Sequence, residues 1–338
     1  MRIAVVASLV TPLREAQVGG AQAFLTDLAR ALAVRGHRVT VFCAEGSSLT
    51  GLRLVTVPAP AGVDAALVMP GGPPPAPLPA LGAAFERLFA AVRADGCDAV
   101  SQHAFDAEAF DFATGLPVLH TLHLPPLVPA VVSAARSAGA RCVTVSEAMR
   151  RAWSGAGLPG VRVLPNGVPP FALPDVPVRP RALIAGRVSP EKGTAAAVRA
   201  AHRAGLEPLL AGVVYDRAYW EREVRVPVEP VDRPALWRLM AGSAVTLMPI
   251  EWDEPFGMVA AEAQMAGCPV AGYRRGALPE VVPEGVGGVL VEPGDLEALV
   301  AAVPAAQALD RGLVRGSALR RLDIGRSAAA YEAALAAL

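Results

Sequence analysis

Residues 2–8, RIAVVAS, followed by residues 21–34, AQAFLTDLARALAV, and then by residues 38–44, RVTVFCA, decide how this chain reads. The first and third stretches are short apolar runs, the pattern of strands buried on both faces in a parallel sheet. The middle stretch sets Phe24, Leu25, Leu28, Ala31 and Leu32 on one stripe of 3.6-residue period, which predicts a helix that ends at Gly36. Strand, loop (9–20), helix and strand in that order open a doubly wound sheet.

Outward from this unit the alternation continues. Residues 52–58 predict a third strand and 81–93 a helix, with an irregular Pro-, Gly- and Ala-rich loop between them at 58–79. Apolar runs at 98–103, 117–123 and 141–146 predict further strands separated by helical segments, and 161–165 closes the first half. Residues 169–180, PPFALPDVPVRP, hold five prolines and read as a stiff linker. The pattern then restarts, with strands at 182–186, 207–213, 244–250, 269–273 and 287–291 and helices at 191–204 and 257–266. No short-period repeat is present. At 338 residues the chain has room for two cores. The expectation is α/β: a domain over 1–168, a linker over 169–180, a second domain over 181–322, and a C-terminal helix at 323–338 packing back on the first domain.

The bulk composition excludes some classes. Lys plus Arg number 31 and Asp plus Glu number 31, so no whole-chain field favours nucleic acid. Cys43, Cys97, Cys142 and Cys268 lie far apart without a Cys-x-x-Cys pair, and read as small buried hydrophobes in a reducing compartment. The N-terminal apolar run is too short for a membrane span and lacks a signal-peptide layout. No transmembrane segment and a cytoplasmic location are expected; weak association through a surface helix is compatible with the same sequence.

Four groups of residues could carry chemistry. Glu254-Pro-Phe-Gly-Met-Val-Ala-Ala-Glu262 places one carboxylate in a loop and the other inside the following helix. Residues 256–259 would offer backbone N–H groups to a phosphate at the helix N-terminus. The bland alternative is a pair of solvated helix charges. Gly186-Arg187-Val-Ser-Pro-Glu191-Lys192-Gly193 puts one cation at a strand end and another at a helix start, where open α/β sheets bind ligands and where a diphosphate would fit. A Walker A loop is absent. Gly19-Gly20, after the first strand, would let a backbone approach a ligand closely or make a plain tight turn. His103, His120 and His123 are expected at the top edge of the first sheet, either packed structurally or in contact with substrate. They lack a clear carboxylate third ligand, so no metal is expected. His37 and His202 read as structural. A Gly-x-Ser-x-Gly hydrolase elbow is absent.

Taken together these residues resemble glycosyltransferase family 4, the retaining enzymes of the GT-B fold, with two Rossmann-like domains and a central cleft. The resemblance runs from Gly19-Gly20 and Gly36-His37-Arg-Val through Asn166-Gly167-Val168, Gly186-Arg187…Glu191-Lys192-Gly193 and Glu254-Pro-Phe-Gly…Glu262 to Gly267-Cys-Pro-Val and Pro279-Glu-Val-Val. It implies a hexosyltransferase-type enzyme that moves a sugar from a nucleotide sugar, UDP- or GDP-linked, to an acceptor the sequence does not identify, without a metal or other cofactor. Arg187 and Lys192 would bind the diphosphate, Glu262 the ribose hydroxyls, Glu254 the transferred sugar, and the backbone of Phe256, Gly257, Met258 and Val259 sugar and phosphate. Gly19 and Gly20 would lie against the donor from the other domain. His103 would be the active-site histidine and His123 an acceptor-side residue. The chain departs from the family's pattern at Gln22, where Glu is common, at Arg274-Arg275, where small residues are common, and in the short segment 215–231. A nucleotide-sugar hydrolase or epimerase of the same fold is the alternative. A nicotinamide oxidoreductase is disfavoured because the Gly-x-Gly-x-x-Gly fingerprint is missing.

Overall fold

In the computed structural model of the protein, residues 1–15, 19–63, 78–173 and 175–338 are described. The loops expected at 9–20 and 58–79 and the linker expected at 169–180 lie partly outside the described residues. The described chain separates into two compact units, one of residues 1–166 and 324–338, the other of residues 167–323.

The first unit holds seven parallel strands: β1 (Arg2–Val6), β2 (Arg38–Ala44), β3 (Arg53–Val57), β4 (Ala99–Gln102), β5 (Val118–Leu122), β6 (Cys142–Thr144) and β7 (Arg162–Val163). Their order is β3-β2-β1-β4-β5-β6-β7. The order reverses between β1 and β4, which creates a crevice at their C-terminal ends. Strand alternation explains the apolar runs, because each face is covered. Ala4, Val6, Phe42 and Val100 pack under Leu81, Phe85, Leu88 and Phe89 of the helix Pro79–Asp95. The helix Gly20–Val34 buries Phe24, Leu25, Leu28 and Leu32, the stripe read from sequence. The C-terminal helix Ile324–Ala336 belongs to this unit: Tyr331 reaches Thr121, and Glu332 pairs with Arg35 and with His37.

The second unit holds β8 (Arg179–Val188), β9 (Glu207–Val214), β10 (Val228–Glu229), β11 (Ser243–Met248), β12 (Val270–Tyr273) and β13 (Gly288–Val291), in the order β10-β9-β8-β11-β12-β13. Its switch point falls between β8 and β11. Ala182, Ile184, Val245, Leu247, Ala271 and Tyr273 alternate along their strands to form one face of the core. Two features depart from the sequence reading. β8 begins at Arg179, inside the stretch expected to be linker. The edge strand β10 was not expected, because two residues beside prolines give no periodic signal. Among the described residues no helix is long and apolar enough to cross a membrane.

Candidate functional site

Four charged residues of the second unit, Arg187, Glu191, Lys192 and Glu254, lie at or after the C-terminal ends of β8 and β11. Arg187 is the next-to-last residue of β8. Its Nη2 lies 3.4 Å from Glu191 Oε1, which also accepts from Ser189 Oγ at 2.6 Å. Its guanidinium sits over the Tyr215 ring, 5.4 Å from the centroid. Lys192 does not start the helix, as its position in sequence suggested. It closes a 3₁₀ turn, Pro190–Lys192, and Gly193 in the left-handed conformation (φ +64°) separates that turn from the helix Thr194–Arg203. Lys192 Nζ donates to Glu254 Oε2 at 2.6 Å, and Trp252 Nε1 donates to the same oxygen at 2.8 Å. Two residues read as separate ligand contacts are therefore joined directly, 62 positions apart in the chain.

Two glycines make this approach possible. A Cβ on Gly193 would lie 1.8 Å from the Pro249 carbonyl oxygen, so only glycine lets the turn meet the end of β11. A Cβ on Gly276 (φ +56°) would lie 2.4 Å from the Glu254 amide nitrogen, and the next amide, Ala277 N–H, donates to Glu254 O at 2.9 Å. Gly193→Ala and Gly276→Ala should each lower stability by about 2–4 kcal/mol, combining left-handed strain with a backbone clash. Gly36→Ala (φ +90°, with nothing within 4 Å of the added carbon) should cost only about 1–2 kcal/mol. Urea unfolding of the three variants separates the two contributions. Equal losses in all three would mean that the close approaches carry no cost.

Glu262 is buried within the helix Met258–Met265. Arg233 Nε donates to Glu262 Oε1 at 2.8 Å and Arg233 Nη2 lies 2.7 Å from the same oxygen. The Arg233 guanidinium also covers the Trp237 ring at 4.9 Å. Gly257 (φ +91°) caps the helix, and a Cβ there would press on Leu278 at 2.9 Å. The helix starts at Met258, so Met258 and Val259 carry first-turn N–H groups, whereas Phe256, buried, precedes the cap.

In the first unit, Gly19 is extended and caps the helix that Gly20 begins. A Cβ on Gly19 would lie 2.1 Å from Gln22 Oε1, so the Gln22 side chain folds back over the glycine. His103 directly follows β4 and His123 directly follows β5. His103 Nδ1 lies 2.8 Å from His123 Nε2, and His103 Nε2 lies 2.8 Å from Ser101 Oγ. Phe24 meets both rings edge-on and Tyr331 stacks on His103. Burial holds the His103 ring well below the usual imidazole range and pushes His123 down to about 4, so both are neutral at pH 7. His120 corrects the reading that placed three histidines at the sheet's edge. It lies inside β5, and alternation turns it to the opposite face from Thr121. There it stacks on Phe110 and meets Gln102 Oε1 at 3.3 Å. Burial lowers its pKa to about 3.

Sequence reasoning missed Arg233, Trp252 and Asp106. Trp252 lies two residues before Glu254 and Asp106 three after His103, so both stood beside a signal, whereas Arg233 reaches Glu262 from 29 positions away. Asp106 follows β4 beside the switch point, and Ser8 Oγ, from the loop after β1, donates to its Oδ2 at 3.2 Å. Burial raises the Asp106 carboxyl from an ordinary 3.8 to about 7, with Glu108 adding to the rise. The folded state therefore binds this proton more tightly than the unfolded chain does. Its stabilising effect is present below pH 3.8 and is lost as pH rises to about 7. Thermal melts from pH 4 to 8 should show a fall in the wild type that Asp106→Asn flattens. Parallel curves for the two proteins would remove Asp106 as the titrating group.

Two family models match in tandem: Glycosyltransferase Family 4 over residues 18–170 and Glycosyl transferases group 1 over residues 221–309. A glycogen synthase from Mycobacterium tuberculosis (strain CDC 1551 / Oshkosh) is 33% identical over 167 residues, which is 44% of this chain and 40% of that protein. The chain thus matches well under two thirds of the length of such curated relatives. Among solved structures, sucrose-phosphate synthase from Thermosynechococcus elongatus superposes with a TM-score of 0.79 at 19% identity, and Anabaena HepE in complex with UDP and glucose with 0.75 at 19%; each covers 100% of both chains. The two parallel sheets with interleaved helices are those of the GT-B fold.

Proposed function

We propose, from the tandem family matches, that this chain is a glycosyltransferase of the family 4 type that moves a sugar from a nucleoside diphosphate sugar to an acceptor, with retention at the anomeric carbon. The observation that carries this reading is the Lys192–Glu254–Trp252 cluster beside Arg187 at the switch point of the second sheet. Breaking the glycosidic bond leaves negative charge on the diphosphate. Arg187, Lys192 and the N–H groups of Met258 and Val259 are fixed positive partners for that charge, so protein groups take the place of a metal. Glu254, held by Trp252, exchanges its Lys192 partner for a sugar hydroxyl when phosphate arrives. Glu262 holds ribose while it still faces Arg233. The first unit takes the acceptor side, with the His103–His123 pair at its sheet edge. Retention follows from family likeness, with the leaving phosphate helping to deprotonate the acceptor on the same face.

UDP is the first nucleoside diphosphate to test, since HepE is similar in fold and was solved with UDP and glucose. The four free cysteines suit a reducing compartment, which favours the cytoplasm. A thermal-shift panel of UDP- and GDP-sugars, followed by product analysis of the stabilising donor with and without acceptors, tests the reading. An acceptor-dependent glycoside is the expected product. Release of free sugar irrespective of acceptor would make the protein a hydrolase, and a changed sugar on an intact nucleotide would make it an epimerase.

A further inference from the structure

The pair of buried imidazoles has a direction. Ser101 is wholly buried, and among the described residues its hydroxyl has one hydrogen-bonding neighbour, His103 Nε2. A buried serine hydroxyl donates its single proton to an acceptor, and the imidazole nitrogen is the acceptor within reach among the described residues. The O–H therefore donates to His103 Nε2, which must be the unprotonated nitrogen of a neutral ring. A neutral imidazole carries its proton on the other nitrogen. His103 Nδ1–H consequently donates across 2.8 Å to His123 Nε2. His123 then accepts at Nε2, and its own proton sits on Nδ1, for which no hydrogen-bond partner occurs among the described residues. The reverse polarity would make His103 Nε2 donate to Ser101 and leave the serine proton without an acceptor. A charged ring would have the same defect and would also place a cation in the apolar box formed by Phe24 and Tyr331.

We propose that Ser101 and His103 are positioning residues that fix His123 as its Nδ1–H tautomer, so that His123 serves as an uncharged hydrogen-bond donor to a substrate hydroxyl oxygen and not as a proton acceptor. Its role toward substrate rests on the transferase reading above; the tautomer does not. His103, with both nitrogens engaged inside the unit, acts through His123. Tyr331, whose hydroxyl meets Thr121 Oγ1 at 3.1 Å, closes the box from the C-terminal helix.

The test is long-range ¹H–¹⁵N correlation on the free protein with ¹⁵N-labelled histidine. The chain has five histidines, and His123 is assigned by its loss in His123→Gln. The expected spectrum has a pyrrole-type Nδ1 and a pyridine-type Nε2 on His123. A protonated Nε2 overturns the proposal, whatever the protein's activity. Ser101→Ala removes the group that sets the direction and should shift or broaden the His123 signals, while Ser101→Thr should restore them. Unchanged signals in Ser101→Ala would overturn the role of Ser101. With a working donor and acceptor, Ser101→Ala should lower turnover about five- to tenfold, the worth of one neutral hydrogen bond, and Ser101→Thr should recover it. Absence of any turnover in the wild type would count against the transferase reading and leave the tautomer result standing.

Discussion

Glu262→Ala should destabilise the protein by about 3–5 kcal/mol, because it strips the carboxylate from a guanidinium that is itself almost buried. The side chains of Arg233 and Glu262 are 12% and 6% exposed, so neither charge has much water to fall back on. Glu262→Gln keeps an oxygen facing Arg233 and should cost less than half as much. The measurement is urea unfolding of both variants beside Arg233→Met, in which the charge disappears from the other side. Arg233 also covers Trp237, so Arg233→Met should restore some packing where Glu262→Ala cannot. If Glu262→Ala were as stable as Glu262→Gln, the carboxylate would not be balancing a buried charge. The same variants probe ligand binding: Glu262→Gln should weaken binding of a nucleoside diphosphate by about tenfold if the carboxylate holds ribose, a loss of about 1.4 kcal/mol.

The second large effect concerns the phosphates. Arg187→Ala and Lys192→Ala should each weaken nucleoside diphosphate binding by about 1.5–3 kcal/mol, roughly ten- to a hundredfold, as expected for lost charge-assisted hydrogen bonds. The structure adds an opposite expectation for Glu254. In the free protein its carboxylate holds Lys192 at 2.6 Å and so competes with any incoming phosphate. Glu254→Gln should therefore leave nucleoside diphosphate affinity unchanged or slightly higher, while lowering turnover of the intact nucleotide sugar. Calorimetry with the nucleoside diphosphate and rates at saturating donor give the two quantities for each variant. Unchanged affinity in both cation variants, with the fold intact, would remove the diphosphate site. A Glu254→Gln protein that had lost nucleoside diphosphate binding would reverse the roles given to the two glutamates.

Much of the fold was legible because its information is local. The stripe of Phe24, Leu25, Leu28 and Leu32 needs only a 3.6-residue period to be seen, and strands such as RVTVFCA, buried from Val39 to Ala44, are largely apolar because helices cover both faces of each sheet. Of the charged residues the sequence shows only nearness along the chain, Arg187 with Lys192 at a strand end and Glu254 with Glu262 at a helix start; their observed partners are Glu191, Glu254 and Arg233. His120 was misplaced because a two-residue alternation reverses direction with each step, and the end of a strand cannot be fixed to one residue from composition. Lys192 was placed one turn too late because Gly193 was read as helix, although its left-handed backbone interrupts it.

The sequence by itself determined most of the elements, their strand–helix alternation and which segments carry charge to the strand ends, because periodicity, glycine and proline act over a few residues. Only the tertiary structure decided the pairings: Lys192 with Glu254, Arg233 with Glu262, and the Ser101–His103–His123 row beneath Tyr331. Apart from Ser101 with His103, two residues apart, these join segments 20 or more positions apart in sequence, and a charge or a ring nitrogen carries no local mark of its eventual partner. Burial then does what spacing cannot. It removes water as the alternative partner, so a buried donor is driven toward a protein acceptor, and that preference selects which side chains are bound to each other.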